Sequence, residues 1–191
     1  MSQAVLDRTN QGTVSFIHAR AVDAGLVLAG SLLMAACAHV SIPLWFTPVP
    51  ITLQTFGVIF LALSLGGWRA SAALVLYLGE GVSGLPVFSP HGTSGIFGPT
   101  GGYLMSYPFA ALAAGLLARK VSRLSRPLVY GASALLCEII IFAAGGLWLM
   151  ALTHRSSLAI FTAAVFPFIP GEVLKGTAAV ALALGSRKIL Q

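Results

Sequence analysis

Six long apolar stretches divide this chain, at residues 21–40, 51–65, 70–85, 101–118, 128–152 and 158–184. Each is continuous rather than alternating. The pattern therefore predicts helices and excludes the short alternating strands of a membrane barrel. About 20 apolar residues in a helix match the roughly 30 Å hydrocarbon core of a bilayer. The second stretch is short for that span unless part of the preceding segment also lies at membrane depth. The sixth contains Pro167 and Pro170 and is predicted to break there. Residues 1–20 are polar, carry Asp7, Arg8 and Arg20, and lack the basic-then-apolar order of a cleaved signal peptide. They read as a short tail ahead of a single domain over residues 21–191.

Two connecting segments are unlike ordinary loops. Residues 41–50 read SIPLWFTPVP, and the prolines at 43, 48 and 50 predict extended backbone. Residues 84–102, GLPVFSPHGTSGIFGPTGG, are rich in glycine and proline. Irregular backbone near lipid survives only where protein or a water-filled cavity surrounds it. Both segments are expected to wall an outward-facing pocket.

Composition identifies the solvent. Of 191 residues, 57% are hydrophobic and 8% charged, with a mean hydropathy of +0.91. A soluble domain carries about 25% charged residues and buries only about 70% of its chain's surface. A soluble enzyme, a disordered chain and a nucleic-acid binder are therefore excluded, and lipid remains. The net charge of +6 sits in short clusters between the spans rather than on one face. Such clusters set orientation. With the N-terminus inside, the inner side holds Arg8, Arg20, Arg69, Arg119, Lys120, Arg123, Arg126, Arg187 and Lys188, against Arg155 alone outside. Both termini are expected to be cytoplasmic, as an even number of spans requires.

Glu80, Glu138, Glu172 and Lys175 fall inside predicted spans. A charge at the bilayer centre costs about 3 kcal/mol on insertion scales and normally faces the bundle interior with a partner. Glu172 and Lys175 are three apart, on one helix face, directly after the Pro-Phe-Ile-Pro-Gly break at 167–171. Lys175 lies about 18 Å along the helix from Arg187, past the midplane on the outer side. A broken helix with a charged pair at that depth is a transporter arrangement for a small polar ligand. The alternative is a pair that merely neutralises itself. Glu80 precedes the glycine-rich segment and is placed to reach the same pocket. Glu138 lies nearer the inner end of its span, where a helix–helix hydrogen bond or a neutral acid would account for it.

Ala21, Gly25 and Ala29 form a small-residue stripe that either packs inside the bundle or docks another membrane protein. Cys37 and Cys137 each lie within an apolar run and read as small buried hydrophobes. No lysine follows a glycine, so the chain carries no phosphate-binding G-x-x-x-x-G-K loop. An ATP-driven process would need another chain as motor. The four histidines, His18, His39, His91 and His154, have no metal-ligand spacing, and no metal or cofactor is expected. The sequence GTSG at 92–95 fits a short pattern of intramembrane serine proteases. Ser94, however, sits in mid-segment rather than opening a span, which argues against that enzyme class.

Four segments carry a resemblance: TPVPITLQTFGV (47–58), YLGEGVSGLPVF (77–88), GPTGGYL (98–104) and PFIPGEVLK (167–175). In order and spacing they are similar to the signature blocks of the BioY family, the biotin-binding S components of energy-coupling-factor (ECF) transporters. The resemblance implies an all-α bundle of six transmembrane helices in a bacterial inner membrane, not an enzyme. It also implies an outward-facing biotin pocket under the loop after the first helix. It further implies assembly with a transmembrane coupling subunit and two ATPase subunits, docked on Ala21, Gly25 and Ala29. The family's sixth-helix motif usually reads Asp, two residues, then Lys; here the acid is Glu172, one methylene longer, and Lys175 matches directly. Gln54 matches the glutamine of the first block. Biotin combines an apolar bicyclic body, a ureido group and a carboxylate. Trp45, Phe88 and Tyr103 are candidates to pack the body, with Glu172, Lys175, Gln54 and Glu80 for its polar groups. An S component for another small vitamin is the alternative within transport.

Overall fold

A computed structural model describes the backbone at residues 3–92, 95–120 and 124–189, and side chains at 18–92, 95–120 and 124–186. Ser94 and the side chains of Arg8, Arg123, Arg187 and Lys188 lie outside the described residues. The chain is helical nearly throughout: α1 (Gln3–His39), α2 (Gln54–Leu65), α3 (Gly67–Val82), α4 (Gly101–Lys120), α5 (Arg126–Thr153), α6 (Ser157–Ala164) and α7 (Ile169–Ile189). Segment 41–50 is framed by two short strands, β1 (Ser41–Ile42) and β2 (Ile51–Thr52), which pair antiparallel, Ser41 with Thr52 and Ile42 with Ile51. The extended reading of this proline-rich segment is thus realised as a small hairpin-like flap.

Among the described residues, four helices are long and apolar enough to cross a membrane: His18–His39, Gly101–Lys120, Arg126–Thr153 and the interrupted Ser157–Ser186. The first span, His18–His39, continues the helix that begins at Gln3. Polarity alone does not end a helix, and no proline stands before residue 43 to do so.

The sixth span breaks as predicted. α6 opens at Ser156, whose hydroxyl accepts from the Ala159 N–H, and ends at Val165. A 3-10 turn over Phe166–Phe168 follows, and α7 restarts at Ile169. Pro167 has no N–H to continue α6, whereas Pro170 falls in the first turn of α7, where that donor is not needed.

α2 is the hub, touching α1, α3, α4, α5 and α7. Twelve residues give it about 18 Å, well short of the hydrocarbon core. The β1–β2 flap leads directly into α2. α2 joins α3 through Gly66 alone, whose φ of +83° suits glycine. At this junction the backbones nearly touch. A Cβ at Gly67 would stand 2.7 Å from the Leu112 carbonyl oxygen, and one at Gly115 would stand 2.5 Å from the Gly67 Cα.

The burial pattern suits lipid. Tyr77, Tyr130, Met34, Ile59 and Ile141 fill the interior, together with Ser31, Ser133, Gln54 and Glu172. Leu32, Val75, Phe109, Leu135, Ile139, Leu147, Leu174 and Leu182 face outward. Cys37 and Cys137 are free and buried.

Candidate functional site

A cavity lies where the flap, the start of α2, the segment after α3, the first turns of α4 and the broken span converge. It holds about 610 Å³ of space free of protein atoms, counting its mouth.

Its polar wall is built by the helix break. Glu172 stands in the first turn of α7, where the positive end of the helix favours an anion. One turn on, Lys175 pairs with Glu172 Oε1 and donates to the backbone carbonyl of Thr52 at 2.9 Å. This carbonyl belongs to the flap, so the lysine ties α7 to the flap across the cavity. The chain of bonds continues: Thr52 Oγ1 donates to Gln54 Oε1 at 3.1 Å, and Gln54 Nε2 donates to the Tyr77 hydroxyl at 2.9 Å.

Two polar atoms of the wall have no partner among the described residues. Glu172 Oε2 and Thr55 Oγ1 are buried without a hydrogen bond, although both residues line the cavity. Glu172 is only 5% exposed. A buried carboxylate oxygen left unpaired costs free energy, more than a neutral group would. Lys175 has three N–H donors, of which two are engaged among the described residues. The wall thus offers an acceptor, a hydroxyl and one spare cationic donor.

The rest is apolar and aromatic. Tyr103 meets Phe142 edge to face at 5.9 Å, and Phe142 tilts against Phe168 at 6.3 Å. Phe88 packs edge to face on Tyr77 at 5.4 Å. The Tyr103 hydroxyl donates to the Ala164 carbonyl at 3.0 Å, an oxygen at the end of α6 left without a helical donor by the break. Above the cavity, Ser41 Oγ and His91 Nδ1 are 2.8 Å apart and join the flap to the segment after α3. Trp148 Nε1 donates to the Gly98 carbonyl at 2.9 Å and holds the last part of that segment against α5.

Of the residues singled out from sequence, Lys175, Glu172, Gln54, Tyr103 and Phe88 come together around this cavity. Glu80 and Trp45 are not among its lining residues. Glu80 accepts a hydrogen bond from Ser31 of α1, because α3 continues to Val82 and turns this acid toward its neighbouring helix. Trp45, 95% exposed, stands at the tip of the flap, in a separate groove with Phe46 and Arg155. Ala21, Gly25 and Ala29 are exposed, and a Cβ at Gly25 would meet nothing within 4 Å, so the stripe does not pack inside the bundle. Sequence reasoning missed Thr52, Thr55, Tyr107, Phe142 and Phe168. Thr52, Thr55 and Phe168, which lie in recognised segments, carried a signal; Tyr107 and Phe142 did not. Among the described residues no His, Cys, Asp and Glu side chains cluster as metal ligands.

Comparison with known proteins bears on the fold and the family. The chain is 38% identical over 159 residues to the "Biotin transporter BioY" of Rhodobacter capsulatus, covering 78% of this chain and 83% of that protein. It is 36% identical over 168 residues to the "Biotin transporter BioY" of Thermotoga maritima, covering 86% and 96%. Its fold matches the crystal structure of "the S-component for biotin from an ECF-type ABC transporter", with a TM-score of 0.80 at 23% identity over 90% of this chain and 93% of the other. The profile of the BioY family matches residues 9–191. The chain belongs to the BioY family.

Proposed function

We propose that this protein is the biotin-binding membrane subunit of an ECF-type transporter, not an enzyme, and that it takes biotin from the outer face of the membrane. The relatives named for biotin transport support the substrate, and the S-component fold supports the role. The observation that carries the reading is the unpaired, buried Glu172 Oε2 beside a lysine with one N–H to spare. A ureido group presents N–H donors next to a carbonyl acceptor, so it matches a carboxylate oxygen and an ammonium side by side. Tyr103, Phe142, Phe168 and Phe88 supply the apolar walls for the bicyclic body, and Gln54 holds Thr52 in place.

Lys175, Glu172 and Gln54 are the polar residues of the reading, and Phe88 and Tyr103 its aromatic ones; Glu80 and Trp45 take no direct part. Since the chain carries no phosphate-binding loop, two ATPase subunits and a coupling subunit supply the energy. The exposed stripe Ala21, Gly25 and Ala29 suits the coupling subunit as a docking face. The protein sits in a bacterial inner membrane with both termini cytoplasmic, as one six-span domain over residues 21–191.

Calorimetry on the purified protein tests this. Tight binding of biotin, without added sodium, is expected. Heat with another vitamin and none with biotin would assign the chain to a different ligand.

A further inference from the structure

The cavity is charged at one end only. Its inner wall, with Glu172, Thr55, Tyr103 and Tyr107, is buried. Its rim is half-buried and is formed by Ser89, Gly92, Gly95 and Thr100 of the segment between α3 and α4. Among the described residues that line the cavity, Lys175 is the one cation and Glu172 the one anion. These two are paired with each other.

The chain has little else to supply charge here. From residue 21 to 68 and from 70 to 118 it contains no Lys or Arg, so the flap, the segment after α3 and the first turns of α4 carry none. Arg155 lines a separate groove beside Trp45 that shares no residue with the cavity. His91 Nδ1 is engaged with Ser41 Oγ at 2.8 Å, and His91 is not among the lining residues.

Biotin has two polar ends to place, a neutral ureido group and an anionic carboxylate. At the inner wall a carboxylate would stand beside Glu172, like charge against like, where little water screens them. It would also leave Glu172 Oε2 without a donor, since a carboxylate has none to offer. A ureido group gives N–H donors to Oε2, and its carbonyl accepts from the spare Lys175 N–H or from the Thr55 hydroxyl. The inner wall therefore selects the ureido end, and the tail ends at the rim. There it meets hydroxyl groups, glycine backbone and water. A hydroxyl both donates and accepts, so it serves an acid oxygen, an amide oxygen and an amide N–H alike.

We propose that this site reads the ureido bicycle and not the charge of the tail, so that its ligand class is biotin together with the neutral amides and esters of its carboxyl group. Lys175 acts on the ureido end, and Ser89 and Thr100 face the end of the tail. This inference rests on the biotin reading above and extends it to a class of ligands.

Calorimetry on the purified protein tests it, with biotin compared against biotinamide, its primary carboxamide. The wild-type protein is expected to bind the two within about tenfold of each other, because no ion pair is lost; breaking a buried pair would cost roughly thirtyfold or more. Lys175→Ala is expected to weaken both ligands by the same factor. Ser89→Lys gives the rim a cation and is expected to shift the preference toward the free acid. Biotinamide weaker than biotin by more than about tenfold in the wild-type protein, which needs no variant to fold, would pair a cation with the carboxylate and overturn the inference alone. So would a Lys175→Ala protein that loses affinity for biotin but not for biotinamide, or a Ser89→Lys protein that binds both ligands and keeps the wild-type preference. No heat with either ligand would overturn the biotin reading and this inference with it.

Discussion

Lys175 concentrates the chemistry of the molecule in one ammonium group. It joins α7 to the flap through the Thr52 carbonyl and to its own helix through Glu172. Lys175→Ala therefore removes a ligand donor and also loosens the flap. Biotin affinity is expected to drop at least tenfold, about 1.4 kcal/mol, in calorimetry; an unchanged affinity would return Glu172 and Lys175 to a self-neutralising pair. This pair was legible in the sequence because a charge inside an apolar span has so few places to go. Gln54 was legible only through its surrounding segment. Its partner Thr52 acts through a backbone carbonyl, which every residue has, so its type says nothing of that role. Phe142 and Tyr107 were hidden for a related reason. An aromatic residue in an apolar helix looks the same whether it faces lipid, core or ligand. Glu80 was legible as an inward-facing acid but not as a partner of Ser31. That depends on how α3 rotates against α1.

At the scale of elements, the site exists because two helices are incomplete. α2 is too short to cross a membrane by itself, and the sixth span breaks into α6 and α7. The break was predictable from Pro167 and Pro170. The shortness of α2 was visible, but its position as the hub was not, because hydropathy carries no record of which helix is central. That position depends on close backbone approach at Gly66, Gly67 and Gly115. Gly115→Val would drive two methyl groups into the backbone of Gly67. It is expected to destabilise the fold by about 1–3 kcal/mol, the range for overpacked interiors. A lowered thermal-unfolding midpoint in detergent checks this, and an unshifted midpoint would mean that α4 can move away from the junction.

Across the whole molecule, charge is sorted by end. The Arg69 guanidinium pairs with Asp23 at 2.6 Å, and Arg119 donates to the Leu65 carbonyl at 3.3 Å, so Arg69 and Arg119 gather where α1, α2, α3 and α4 meet opposite the cavity. Arg126 opens α5, one short connection beyond the C-terminus of α4. Arg155 lies at the other end, beside Trp45. This sorting follows the rule that basic residues stay on the cytoplasmic side. A C-terminal fusion to green fluorescent protein is expected to fluoresce, and one to alkaline phosphatase to be inactive. The reverse pattern would turn the cavity toward the cytoplasm.

The tryptophans give this molecule a built-in optical reporter. Trp148 is tied by its indole N–H to Gly98, in the segment that overhangs the cavity. Trp45 and Trp68 are exposed and lie at opposite ends of the bundle, 95% and 70% accessible. A ligand that settles the overhanging segment alters the polarity and packing around Trp148. Biotin is expected to change the intrinsic emission without any added dye. The change should vanish in Trp148→Phe and persist in Trp68→Phe, so stopped-flow fluorescence can follow binding in real time.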